Sequence, residues 1–145
     1  MAGPWYRVRT LAHGWLPAVY GNTDYAGWQN SPITALAIQG YRYQVGIAGK
    51  TQWGVTYNGQ IQWLPIVSGY NISDDNNGYA GMPASQNANG GVNALWGIAF
   101  DNAVGLNYKI KCNDGYVAAG CGLGVAQICH GESANRYITE VTFWT

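Results

Sequence analysis

The chain has 145 residues, and its seven basic and seven acidic side chains give a net charge of zero at pH 7. A chain of this length buries enough surface to fold as one domain without help from a metal or a disulfide. Seven Trp and eleven Tyr residues without net charge exclude a disordered tail. The lack of a basic excess argues against a nucleic-acid partner. No run of about 20 apolar residues predicts a membrane span, and no signal peptide is visible.

Alternating side chains predict short β-strands along most of the chain. The predicted strands cover residues 6–10, 33–38, 41–45, 92–100, 108–111 and 138–143. Glycine occurs 21 times, and no window has helical spacing of apolar residues without Gly, Pro or Asn inside it. Turn residues separate the strands, as at 20–24 and 73–77. We therefore predict an all-β fold.

Two blocks of the sequence resemble each other. Gly-Trp-Leu-Pro-Ala-Val at 14–19 returns as Gln-Trp-Leu-Pro-Ile-Val at 62–67, and each copy is followed by a turn and Tyr-Ala-Gly. Each block ends in a similar strand, and a third copy of that strand closes the chain. These repeats predict one domain over residues 1–145. Its units lie at about 5–40, 41–103 and 104–145, and the middle unit is enlarged by a hairpin at 51–60.

Three related units in one domain predict pseudo-threefold symmetry. A β-prism-like or a β-trefoil-like fold would let strands of all three units share a core and leave three related surface pockets. The sequence does not choose between these two folds. An irregular sandwich is the remaining alternative.

The repeated segments also resemble a known group of proteins. Tyr-Arg-Val, Gly-Trp-Leu-Pro-x-Val, Asp-Tyr-Ala-Gly and Ile-Thr-x-Leu-Ala-Ile are similar to repeats appended to bacterial cell-wall lytic enzymes, chiefly muramidases and amidases of Clostridium-like Gram-positive bacteria and their phages. They are more loosely similar to clostridial hydrophobic repeats. The resemblance covers about residues 5–100, and the last third lacks Trp-Leu-Pro. It implies an extracellular or cell-wall attachment module of a longer chain, with a glycan or peptidoglycan polymer as partner.

The candidate ligand-binding residues lie mainly in the loops of the first two units. Aromatic rings beside uncharged polar groups suit neutral sugars, and a carboxylate accepts paired hydrogen bonds from vicinal hydroxyls. Turn chemistry is an equal alternative, because Asp and Asn side chains also close their own backbone turns. The full candidate set is Asn22, Asp24, Tyr25, Trp28, Asp75, Asn77, Tyr79, Trp15 and Trp63.

The candidates differ in the role expected of them. Trp15 and Trp63 precede Leu-Pro, and a core position is a somewhat better expectation for their indoles than a sugar platform. The corresponding stretch of the third unit, at 131–137, has an anion and a cation where the others have Asp, Tyr and Gly. We therefore expect two functional sites and one degenerate site.

Neither catalysis nor a cofactor is predicted. Cys129 and His130 are adjacent, so on a strand they would point to opposite faces and could not share a proton. No pair of carboxylates is distinguished as the acid and base of a glycosidase. The run at 74–78 lacks the closing acidic residue of an EF-hand calcium loop, so no metal site is predicted.

The three cysteines are an odd number confined to the last third of the chain, which is not a disulfide framework. We expect three partly buried thiols, with a Cys112–Cys121 loop disulfide as the alternative.

The predicted function is that of a non-catalytic, lectin-like or cell-wall-attachment module that binds neutral glycans. Two other classes stay open. Exposed aromatic residues and low charge are also typical of a structural protein that assembles into homo-oligomers. A small cell-wall hydrolase is the second of these classes and the less favoured one.

Overall fold

The computed structural model describes residues 3–47, 62–68, 78–82, 94–101, 103–121, 125–127 and 137–145. Every regular element within these ranges is a β-strand, which confirms the all-β prediction. The hairpin predicted at 51–60 and the turn predicted at 73–77 lie outside them. No helix long and apolar enough to cross a membrane occurs among the residues described.

The strands, in chain order, are short except for six that have six or seven residues. They are β1 (Trp5–Thr10), β2 (Gly14–Trp15), β3 (Val19–Tyr20), β4 (Ala26–Gly27), β5 (Ile33–Ile38), β6 (Arg42–Ile47), β7 (Gln62–Trp63), β8 (Val67–Ser68), β9 (Ala80–Gly81), β10 (Leu95–Asp101), β11 (Asn107–Cys112), β12 (Val117–Cys121), β13 (Val125–Gln127) and β14 (Ile138–Trp144).

These strands form three antiparallel sheets. The first sheet has the order β2-β1-β5-β9, and β3 also pairs with β1. The second has the order β13-β10-β6-β7, and β8 also pairs with β6. The third has the order β12-β11-β14-β4. Each sheet is therefore built on one pair of long neighbouring strands.

Each sheet also receives a short edge strand from another part of the chain. The first sheet is completed by β9, which follows the long strand β6 of the second sheet. The second is completed by β13, which follows the long strand β11 of the third. The third is completed by β4, which follows the long strand β1 of the first. The exchange thus links the three sheets in a ring.

The three pairs of long strands share one irregularity of register. Near the end of the pair, one residue has no facing partner: Thr34 in the first sheet, Trp96 in the second and Thr139 in the third. All three skipped residues are buried. Such bulges increase the local twist and bend of a strand.

Inward side chains of all three sheets form one hydrophobic core. Tyr6, Phe100 and Phe143 come from different sheets and join them. The ring of Phe143 packs edge-on against Tyr6, with centroids 5.3 Å apart, and against Phe100, with centroids 5.5 Å apart. Each such pair contributes about 0.5–1.5 kcal/mol beyond its buried area. The packing of the sheets therefore depends on contacts between residues that are distant in sequence.

The prediction for the cysteines is wrong. Cys112 is buried and disulfide-bonded, whereas Cys121 is an exposed free thiol. In the β11–β12 hairpin, Cys121 faces Asn107, at the opposite end of β11 from Cys112. The two cysteines are thus separated by about 17 Å of strand, well beyond the span of a disulfide.

Candidate functional site

The candidate site lies where β4 pairs with β14 at the edge of the third sheet. Gly27 faces Glu140, and Ala26 faces Val141. Gly27 has a φ of +141°, and a Cβ at this position would collide with the carbonyl oxygen of Thr139, the skipped residue of the bulge. Only glycine allows this close approach without strain. β4 is therefore held directly against the bulge of the neighbouring strand.

Gly81 of β9 meets the first sheet in the same way. Its φ is +144°, and a Cβ would lie 2.6 Å from the carbonyl oxygen of Thr34, the skipped residue of that sheet. The Ala-Gly of both repeated Tyr-Ala-Gly segments is thus an edge strand rather than the loop that the sequence predicted.

The turn that precedes β4 is anchored by a buried tyrosine. The Tyr6 hydroxyl donates hydrogen bonds to the backbone oxygens of Gly21, at 2.6 Å, and Asp24, at 3.3 Å. Burial raises the pKa of Tyr6 to about 12, and the charge of Asp24 adds to this shift. Thr23 also donates a 2.7 Å hydrogen bond to the backbone oxygen of Tyr20. These bonds fix the backbone from which Asp24 and Tyr25 project, so little order need be gained on binding.

Beside this turn is a cavity of about 490 Å³, here called the Trp28 pocket, lined by residues 16–19 and 24–29. Tyr25 is 45% exposed and Trp28 is 50% exposed. The Trp28 ring packs against the His13 ring, with centroids 4.0 Å apart and planes tilted by 36°. The backbone oxygen of Trp28 accepts a hydrogen bond from the Ser31 N–H. The pocket therefore combines two accessible aromatic rings with apolar walls and the Asp24 carboxylate.

A second cavity, the Lys109 pocket, has a volume of about 380 Å³ and adjoins the first. It is lined by Asn22, Asp24, Tyr25, Lys109, Lys111, Glu140, Thr142 and Trp144. Asp24 and Tyr25 line both pockets, so the two cavities adjoin along these residues and are together called the groove. The groove crosses from the first unit of the sequence to the outer face of the third sheet.

The charges of the Lys109 pocket are only partly paired. Lys111 Nζ lies 3.6 Å from Glu140 Oε2, and the Glu140 side chain is 17% exposed. Asp24 Oδ1 accepts a 2.8 Å hydrogen bond from the backbone N–H of Tyr25. Within the part of the chain that the structure describes, neither Asp24 nor Lys109 forms an ion pair. One carboxylate and one ammonium group are therefore accessible to a ligand.

Trp15 and Tyr79 form a second cluster, on the first sheet. Their rings meet edge-on with centroids 5.3 Å apart. The Arg7 guanidinium lies 4.3 Å from the Trp15 centroid, and that of Arg9 lies 5.3 Å from the Tyr79 centroid. Trp15 is partly buried, and its Nε1 has no hydrogen-bond partner among the residues that the structure describes. Trp15 thus packs against arginine side chains and is not an open platform for a sugar.

Arg9 of this cluster is only 2% exposed. Its guanidinium donates to Thr34 Oγ1 at 3.1 Å and to the backbone oxygen of Met82. Burial lowers the pKa of Arg9, and its interaction with Tyr79 opposes that shift. The rings of Trp15 and Tyr79 supply part of the stabilisation that a carboxylate would otherwise give the buried Arg9 cation.

The structure brings four of the predicted residues together: Asn22, Asp24, Tyr25 and Trp28 line the groove. Trp63 is partly buried and faces Gly46 on the second sheet. Asp75 and Asn77 lie outside the described residues.

Sequence reasoning missed the part of the groove contributed by the third sheet. The missed residues are Lys109, Lys111, Glu140, Thr142 and Trp144. Alternation within the strands predicted at 108–111 and 138–143 places Lys109 and Lys111 on one face of the first strand, and Glu140 and Thr142 on one face of the second. It does not indicate that these two strands pair with each other, or that β4 pairs at the edge of their sheet.

The groove offers aromatic faces, several neutral hydrogen-bonding groups, and one carboxylate and one ammonium that form no ion pair within the described residues. No group of three potential metal ligands occurs in the described ranges. Such an arrangement suits the binding of a polar molecule that contains rings. Comparison with known protein families, curated proteins and solved structures finds no match for this chain.

Proposed function

We propose that this chain is a non-catalytic carbohydrate-binding module whose ligand is a glycan polymer such as peptidoglycan. The observation that carries the proposal is the Trp28 pocket, in which two half-exposed aromatic rings share one cavity with the Asp24 carboxylate, which forms no ion pair with any described residue. A pyranose has apolar C–H faces that pack on aromatic rings and hydroxyl groups at its edge that donate to a carboxylate. The volume of the Trp28 pocket, about 490 Å³, is in the range of small-molecule sites.

The proposal includes the arrangement of the repeats. We infer three units in a pseudo-threefold, β-prism-like fold, with the units that the sequence predicts. Support comes from the common order of the long strands, the equivalent bulges and the ring of exchanged edge strands. Three separate sheets around one core favour the prism over a trefoil.

This arrangement also favours attachment to a polymer. Tyr25 and Tyr79 occupy equivalent positions before exchanged edge strands, but Tyr79 packs against Trp15 and Arg9, so the region beside Tyr25 is the open one of the two. Weak binding of single sugars would be strengthened when the Trp28 pocket and the adjoining Lys109 pocket hold neighbouring residues of one polymer. A repeating glycan of the cell wall is such a polymer, and the proposed location is extracellular or in the cell wall.

The first test uses matched pairs of variants. Tyr25→Ala is compared with Tyr116→Ala, because both side chains are 45% exposed but only Tyr25 lines the groove. Asp24→Ala is compared with Asp114→Ala, because each carboxylate accepts a nearby backbone hydrogen bond. We expect Tyr25→Ala and Asp24→Ala each to lose about 1–3 kcal/mol of binding free energy. The two controls should bind like the parent chain.

Binding is measured by pull-down with isolated peptidoglycan and by a glycan array, and folding of each variant is checked by thermal denaturation. Binding to neutral sugars should persist at high salt, because stacking and neutral hydrogen bonds are not screened. Normal binding by both groove variants would refute this placement of the site. Concentration-dependent assembly without any glycan affinity would favour the structural alternative instead.

A further inference from the structure

The Lys109 pocket has a defined width across the third sheet. Lys109 on β11 faces Thr142 on β14. The pairing of Val141 with Ala26 places Tyr25 beside Thr142 on the other side. Lys109 and Tyr25 are therefore separated by two strand spacings, about 10 Å between their backbones. Thr142 lies between them as the floor of the pocket, in a space that fits one sugar ring and a substituent.

The charges within this space give a bound sugar one preferred orientation. Glu140 is occupied by Lys111, which leaves the ammonium of Lys109 as the unpaired cation of the pocket within the described ranges. The Asp24 carboxylate on the Tyr25 side repels an anion but accepts hydrogen bonds from hydroxyl groups. A ring stacked on Tyr25 would thus direct hydroxyls towards Asp24 and an acidic substituent towards Lys109.

The same combination of a tyrosine and two basic residues occurs on the first sheet. On the first sheet, one row of facing residues runs from Arg9 through Ala35 to Gly81. The equivalent row on the third sheet runs from Lys111 through Glu140 to Gly27. Arg7 and Arg9 therefore occupy the register positions of Lys109 and Lys111, next to Tyr79 instead of Tyr25.

The second sheet lacks both parts of this combination. Gln44 and Gly46 occupy the positions of the basic pair, and the edge strand β13 reads Val-Ala-Gln instead of Tyr-Ala-Gly. The segment of the third unit that corresponds to Tyr-Ala-Gly is therefore 125–127, and the predicted correspondence with 131–137 is wrong. Two basic residues, Arg7 and Arg9 or Lys109 and Lys111, therefore lie beside each edge strand that contains Tyr-Ala-Gly. The sheet whose edge strand lacks Tyr-Ala-Gly has no such pair of basic residues. This co-occurrence within one chain indicates that tyrosine and cations serve the same site.

The two copies differ in what covers the basic pair. On the first sheet, Trp15 faces Arg9 in register, and both arginine side chains are buried beside its indole. On the third sheet, Val117 stands where Trp15 does, and Lys109 and Lys111 are exposed beside an open cavity. The third sheet therefore carries the accessible copy of the combination.

We infer that the Lys109 pocket binds the acidic substituent of a sugar, a carboxylate or a phosphate, while the same sugar ring stacks on Tyr25. This inference rests on the proposed function and narrows it. The neutral residue of the polymer occupies the Trp28 pocket, and the adjoining residue carries the negative charge. The ligand is thus a glycan in which a neutral sugar adjoins an acidic one.

The test is a glycan array printed with matched acidic and neutral sugars. The pairs are glucuronic acid against glucose, N-acetylmuramic acid against N-acetylglucosamine, and a mannose phosphate against mannose, each attached to the same neutral sugar. The parent chain is compared with Lys109→Gln. The control is Arg42→Gln, which removes an exposed cation from the second sheet, where it pairs with Asp101.

We expect the parent chain to bind the acidic members at least about tenfold more tightly than their neutral counterparts, as a charge-assisted hydrogen bond should give. Lys109→Gln should remove this preference, so that acidic members bind it no more tightly than their neutral counterparts, and Arg42→Gln should retain the preference. Raising the salt concentration should weaken binding of acidic members by the parent chain but not by Lys109→Gln. The carboxylate and phosphate pairs identify which acid is preferred.

Equal affinity for acidic and neutral members, or a preference that survives Lys109→Gln, would overturn this inference and leave the proposed function intact. Failure to bind any sugar on the array would overturn both.

Discussion

Replacing Gly27 by alanine is the most direct test of how the groove is built. The backbone at Gly27 has a φ of +141°, and the new Cβ would overlap the carbonyl oxygen of Thr139 and lie 2.9 Å from Cα of Glu140. These are backbone atoms of β14, which cannot move aside as a flexible side chain would. β4 must therefore separate from β14 or distort.

The expected cost has two parts. A non-glycine residue in this backbone conformation costs about 1–3 kcal/mol. Weakening the β4–β14 pairing loses hydrogen bonds worth about 1 kcal/mol each. We expect a total of about 3–5 kcal/mol, a large fraction of the stability of a typical domain. Because Asp24 and Tyr25 immediately precede β4, binding in the groove should be lost as well.

Gly115→Ala is the matched control for this substitution. Gly115 lies in the β11–β12 turn of the same sheet and has a φ of +88°, but apart from its chain neighbours no described residue has an atom within 4 Å of its added Cβ. This variant carries backbone strain without the collision, so it should lose only about 1–3 kcal/mol and retain binding. Urea denaturation, fitted for both midpoint and slope, measures the difference. If Gly27→Ala is no less stable than Gly115→Ala, the close approach of β4 to β14 does not hold the site together.

Three further predictions concern other parts of the fold. Tyr6 ionises near pH 10 in the unfolded chain and near pH 12 in the folded protein. The neutral Tyr6 hydroxyl therefore contributes fully to the stability of the folded protein below pH ~10. The free energy of unfolding should fall by up to about 2.7 kcal/mol between pH ~10 and ~12. Urea denaturation at several pH values should show a much smaller fall for Tyr6→Phe. Asp101→Asn breaks the exposed ion pair with Arg42 and should change the unfolding free energy by less than about 0.5 kcal/mol in the same assay. A maleimide should label Cys121 in the native protein, whereas Cys112 should react only after reduction, as peptide mapping by mass spectrometry would establish.

The long strands could be predicted from the sequence because their pattern is local. β5 occupies the residues predicted for it, and β1, β11 and β14 extend the predicted strands by one residue at one end or at both. In the Trp-Leu-Pro segment of the first repeat, no continuous strand forms, because Pro17 falls between the two short strands β2 and β3. Proline has no N–H to donate to a sheet, which accounts for the interruption.

The exchanged edge strands could not be predicted in this way. β4 has two residues, which is too short for alternation to appear, and its partner Glu140 lies at the far end of the chain. The repeat did identify Tyr-Ala-Gly as a unit, but only the pairing shows that its glycine is pressed against a bulge. Lys109 and Thr142 were missed as site residues for the same reason, because their relation to Tyr25 depends on this non-local pairing.

The position of the groove couples ligand binding to the closure of the fold. Its walls come from the turn before β4 and from the third sheet, so a ligand that contacts both can bind only when β4 is docked. Directly after β14, the Thr145 N–H donates a 3.0 Å hydrogen bond to the backbone oxygen of Gly3, which links the third sheet to the segment before β1. A ligand that binds only this closed state should stabilise it by about 2.7 kcal/mol at a concentration one hundred times its Kd. Hydrogen exchange at the Gly27 amide should therefore slow when an acidic glycan is added. In Lys109→Gln, which leaves the β4 pairing intact, the same glycan should slow that exchange much less. Equal slowing in both proteins would mean that the ligand stabilises the fold from another surface.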